Sequence, residues 1–118
     1  LLIKTIDSRK FTSHVVMQYY DVLRELFAII LLLDGYKTTG EGAHRKLIEY
    51  IQKNYKQIAE FQIFLAEELR VLRNKIAYDG FFVTSDYLER KEERIVDLIL
   101  KLIKIVEEKI RGKCCSST

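Results

Sequence analysis

The sequence predicts an all-α bundle of four helices, and three observations predict it. The 118 residues contain no proline and only five glycines, so long stretches carry no helix breaker. Apolar residues recur at spacings of three and four, the period of a helix with one buried face. Asp-Gly pairs at 34–35 and 79–80 supply stops, because glycine accepts the left-handed backbone that commonly follows a helix. Neither an internal repeat nor a useful length of strand-like alternation is visible.

The first helix is predicted from about Arg9 to Leu33, with Asp7 or Ser8 as its N-cap. Val15, Val16, Tyr19, Val22, Leu23, Leu26, Phe27 and Ile30 make one broad apolar face. Its end, Ile29 to Leu33, is apolar all round, which predicts burial on more than one side. A polar loop over 36–42 leads to a second helix from about Ala43 to Tyr55, with Leu47, Ile48, Tyr50 and Ile51 turned inward in whole or part. The third is predicted from about Gln57 to Tyr78, with Ile58, Phe61, Leu65, Leu69, Leu72 and Ile76 as its inner stripe. Only Asn54 weakens the helix between these two, so their boundary rests on that residue. Thr84, Ser85 or Asp86 caps a fourth helix that runs to about Arg111. There Ile95, Leu98, Ile99, Leu102, Ile103, Val106 and Ile110, widened by Leu100 and Ile105, cover more than one core face needs.

Composition narrows the class. Apolar residues at 48% and charged residues at 31% describe a globular chain, read as one helical domain over 1–111 with a flexible tail over 112–118. A net charge of +3 permits an anionic partner without the concentrated basic patch of a dedicated nucleic-acid binder. Both cysteines, Cys114 and Cys115, sit side by side in the tail and form no disulfide framework. The most apolar run, Leu26 to Leu33, is eight residues, far short of the ~20 that span a bilayer. With no signal-peptide pattern, the expectation is a cytoplasmic protein with no membrane contact.

Motifs for chemistry are few. His14 and His44 lack neighbouring ligands at helical spacing, so no metal site is expected. The glycines between 35 and 42 join two helices and lack the Gly-Lys-Ser/Thr ending of a phosphate loop, so no cofactor is expected. No serine-centred nucleophile motif occurs. The carboxylates of the fourth helix alternate with Arg90, Lys91 and Arg94 as on a solvated, ion-paired face. The informative segment is 69–80, which sets Arg70, Arg73, Asn74 and Lys75 near the end of the third helix. Positive charge there complements the helix dipole. Asparagine is a poor mid-helix residue, however, and an Arg-Asn pair suits recognition of a planar anion or phosphate.

Arg73-Asn74-x-x-x-Tyr78-x-Gly80, late in the third of four helices, resembles the motif of the HEPN superfamily. The Gly35-Tyr36-Lys37 loop and the following helix with His44, Leu47, Ile48 and Tyr50 are similar to small prokaryotic members. The resemblance implies an up-and-down four-helix bundle that forms a homodimer. It also implies metal-independent RNA cleavage by an Arg-Asn…His motif facing its copy, often as a toxin beside a minimal nucleotidyltransferase. Carried over, Arg73 and Asn74 match, but the expected histidine falls among Tyr78, Asp79 and Gly80. A phenol with a pKa near ~10 is a poor base at neutral pH, and losing a positioned base typically removes a factor of about 100 to 10,000. His44 is the nearest other imidazole. In an antiparallel hairpin it lies level with residues 67–68, roughly 8 Å along the axis from Arg73. The catalytic candidates are thus Arg73, Asn74, Tyr78 and His44, and the RNA- or nucleotide-binding candidates Arg70, Arg73, Asn74 and Lys75. The resulting expectation is a HEPN-like homodimer that binds RNA or a nucleotidyltransferase-type partner. A weak metal-independent endoribonuclease and a non-catalytic helical interaction protein are the alternatives.

Overall fold

The computed structural model describes residues 8–36 and 43–116, with side chains over 10–36 and 45–112. Four helices occupy them: α1 Ser8–Leu33, α2 Ala43–Asn54, α3 Glu60–Asp79 and α4 Ser85–Ser116. The all-α, four-helix arrangement is as the sequence predicts. α1 is the hub, packing on each of the other three, while α2 and α4 share no packing and α3 touches α4 sparsely. Val16, Tyr20, Leu23, Phe27 and Ile30 of α1 meet Leu47, Ile48 and Ile51 of α2, Leu65, Ala66 and Leu69 of α3, and Ile95, Leu98 and Leu102 of α4 in one core. No helix among the described residues is long and apolar enough to cross a membrane.

Both Asp-Gly stops form. Gly35 has φ 93° and Gly80 φ 67°, the left-handed region that costs a side chain strain. After α1, the Tyr36 N–H reaches the Leu31 carbonyl at 3.0 Å and the Gly35 N–H the Leu32 carbonyl at 3.0 Å, satisfying two carbonyls at the helix end. Thr84 caps α4, its Oγ1 accepting from the Tyr87 N–H at 3.4 Å. The proposed caps of the first helix lie outside the side chains described.

The order of directions differs from a strict up-and-down series, which would set α4 antiparallel to α1. Val83 N–H donates to Ser13 Oγ at 2.8 Å, Tyr19 donates to Glu92 at 2.7 Å, and Lys109 donates to Asp34. These pairings climb both helices together, so α1 and α4 run parallel. The physical cause is α2. Its end, not its start, meets the end of α1, where Tyr50 and Tyr55 reach Asp34. α3 therefore descends along α1, pairing Arg73 with Asp21, and α4 climbs again.

Two further boundaries move, and one residue leaves the inner stripe. α2 and α3 are separate, but the turn between them runs to Ala59, so α3 starts at Glu60 rather than Gln57. Gln62 holds that start: its Oε1 accepts from the Ala59 N–H at 2.9 Å and from Lys101 Nζ at 3.2 Å. α4 continues to Ser116, past the predicted end at Arg111. Phe61 does not belong to the inner stripe of α3. It is 58% exposed because the helix turns Gln62 and Leu65 to the core instead.

Candidate functional site

The C-terminal half of α3 packs on the N-terminal half of α1, and this contact sorts the residues of the Arg-Asn segment into two groups. Arg70 turns back along its own helix, with Nε at 3.1 Å and Nη2 at 2.5 Å from Glu67 Oε1. That carboxylate holds the guanidinium above its ordinary pKa. Arg73 faces α1, with Nε 3.6 Å from Asp21 Oδ1. The two side chains are 23% and 41% exposed, and the two facing atoms are shielded from water without a hydrogen bond. Arg73 thus has a partner inside the fold, a placement that helical spacing did not show. Tyr20 feels both arginines, and burial pushes its pKa up to about 12, with Arg70 and Arg24 opposing. Asn74 is half-buried.

Lys75 and Tyr78 form the second group and face solvent. Lys75 Nζ lies 5.8 Å from the centroid of the Phe81 ring, within cation–π range. Tyr78 is 78% exposed. On a helix it stands about 140° around the axis from Arg73, and no hydrogen bond links the two. The segment thus offers an exposed edge of one amine and the rings of Tyr78, Phe81 and Phe82, backed by a paired arginine. His44 belongs to the first turn of α2, and its side chain lies outside those described. His14 is exposed on α1 and its Nε2 lies 3.0 Å from Gln18 Nε2. Among the described residues no group of three His, Cys, Asp or Glu side chains gathers as a metal site.

Two features lie outside the Arg-Asn segment, and of these only the breadth of the first and fourth helices was legible in the sequence. The first is a polar hub at the opposite end of the bundle. The Asp34 carboxylate accepts from Tyr50 at 2.7 Å, from Tyr55 and from Lys109, tying α1, α2, the following turn and α4 together. Burial alone would raise its pKa, but the bonds from Lys109, Tyr55 and Tyr50 outweigh that and hold it below the usual aspartate range. Desolvation followed by the Asp34 bond raises both tyrosines. The second feature is a mostly apolar face shared by α1 and α4, in which Glu107 is the one charge of the α4 row. Val15, Val22, Leu26, Ile29 and Leu33 line one side of α1 beyond the core stripe. Val96, Ile99, Leu100, Ile103, Val106 and Ile110 do the same on α4. All eleven are half-buried or exposed. The parallel register sets Val22–Leu33 level with Val96–Ile110, so the two rows form one surface. The breadth of both helices was legible; which residues stay uncovered was not.

Comparison with family models, with curated proteins and with solved structures finds no match.

Proposed function

We propose that this chain is a homodimeric helical binding module that pairs through the α1/α4 face. The observation that carries the reading is the pair of apolar rows, spaced mostly three and four apart, with Glu107 the one charge within the α4 row. From Val15 to Leu33 the face is about 27 Å long, and two helix diameters make it about 20 Å wide. That footprint is of the order of one partner's share of a standard interface. An apolar face of this kind can pair with the same face of a second copy about a twofold axis, the commonest symmetry of small oligomers. Light scattering tests it: Ile29→Glu with Ile103→Glu leaves the core stripe intact and converts an assembly of about 28 kDa to the 14.0 kDa of one chain. A wild-type mass of one chain refutes self-pairing and turns the face toward a different protein, the nucleotidyltransferase-type partner implied by the resemblance being the first to try.

A second reading, RNA contact at the end of α3, is favoured by the exposed Lys75, Tyr78 and Phe81. An amine beside free aromatic rings is the combination that holds a single-stranded backbone and stacks its bases. On this reading Lys75 and Tyr78 touch RNA, while Arg73 and Asn74 shape the ground beneath them. Cleavage of that RNA is a separate step, tested below through Tyr78.

A further inference from the structure

From the other end of the bundle we infer a binding site that the preceding readings do not use: an open cavity of about 460 Å³ beside α2 that accepts an aromatic anion of the mononucleotide class. Its size falls within the range of small-ligand pockets. Leu31 is the buried floor, and Tyr36 and Tyr50 supply rings 5.5 Å apart and tilted by 58°. Tyr50 is held in place by its bond to Asp34, so one wall is rigid. Tyr36 is more than half exposed and offers an uncovered ring for a ligand to stack on.

The charges select an anion. Lys46, Tyr50 and Lys53 follow one another at four and three residues, so they share one face of α2. The lysines stand about 10.5 Å apart along the axis, one on each side of the ring. Neither has an ion-pair partner among the described residues. The one carboxylate of the lining, Glu49, is already engaged by Arg45 at 3.4 Å. Asn54 donates its Nδ2 to the Tyr50 carbonyl at 3.0 Å, which leaves Oδ1 to accept a hydrogen bond from a ligand amino group. A ring on Tyr36, a phosphate on Lys46 or Lys53, and an exocyclic amine on Asn54 use every group of the lining that the fold itself leaves unspent.

The probe is adenosine 5′-monophosphate, titrated into the full chain and followed by amide and tyrosine-ring chemical shifts. The expected result is saturable shifts at Tyr36, Lys46, Tyr50 and Lys53, with adenosine alone and inorganic phosphate alone each binding at least about tenfold more weakly. Tyr36→Ala should weaken the nucleotide by about tenfold, the scale of one lost stacking contact, and leave phosphate binding unchanged. Lys46→Gln with Lys53→Gln should abolish the phosphate response and leave adenosine unchanged. All three positions are at the surface, and an unaltered helical circular dichroism spectrum confirms the fold. No saturable shift at these residues, shifts confined to Lys75 and Tyr78, or equal nucleotide affinity in wild type and both variants overturns the assignment.

Discussion

Replacing Asp34 should cost more stability than any other surface-touching substitution in this bundle. The carboxylate is 17% exposed and its Lys109 partner 26%, so water reaches the pair poorly. Asp34→Ala leaves an ammonium and two phenols without their acceptor. A hydrogen bond to a charged group is worth about 1.5–3 kcal/mol, and stranding a buried charge costs about 3–5 kcal/mol. Lys109 can still swing toward solvent, which lowers the sum, and the expected loss is about 2–4 kcal/mol. Asp34→Asn keeps the shape and one acceptor, and should lose roughly half of that. The assay is urea unfolding at fixed protein concentration, reading the midpoint at unchanged slope. Acid adds a second reading. Because the folded carboxyl sits below its unfolded value, its contribution is whole above the unfolded pKa and is lost as pH falls through the folded one. Asp34→Asn should therefore flatten the fall in stability below about pH 4. A change under about 0.5 kcal/mol in Asp34→Ala, or an undiminished acid slope in Asp34→Asn, would refute the hub.

Arg73→Ala should cost about 1 kcal/mol, since the Asp21 pair is partly exposed and 3.6 Å long, and Asp21→Ala should cost a similar, non-additive amount; unchanged unfolding midpoints would show that the pair adds no stability. Tyr78→Ala should change stability by less than about 0.5 kcal/mol yet weaken RNA retention, as measured by filter binding at two salt concentrations. Wild-type chain should cleave RNA negligibly at neutral pH with chelator present, and Tyr78→His measurably. Robust wild-type cleavage that persists in Tyr78→Phe would place the base elsewhere, with His44 next to be tested.

Periodicity and stops carried most of the fold. Leu23, Phe27 and Ile30, Leu65 and Leu69, and Leu98 and Leu102 are buried where the three- and four-residue spacing sets them. The two Asp-Gly turns end their helices as glycine chemistry requires. A stripe, however, carries no direction, so nothing in it told parallel from antiparallel α4. It also has edges: Phe61 sits one step from Leu65 on the wheel yet is exposed, lining an open cleft with Phe64 and the α4 residues Lys91 and Arg94. The candidate site was legible in type but not in state. Arg73 was visible as a cation near a helix end; its partner Asp21 is fifty-two positions upstream and follows from tertiary packing alone. The Asp34 hub joins residues 16, 21 and 75 positions apart, beyond any local motif.

The pairing of α1 and α4 with their own copies is tested most directly by contacts between chains. In an equimolar mixture of isotope-labelled and unlabelled protein, filtered nuclear Overhauser spectra report only methyl and aromatic protons that approach each other across two copies. Cross-peaks should join Val22, Leu26 and Ile29 to Ile99, Leu100 or Ile103, or to themselves across a twofold axis. The absence of any intermolecular cross-peak, or cross-peaks confined to Phe61 and Phe64 on α3, would contradict the dimer described here.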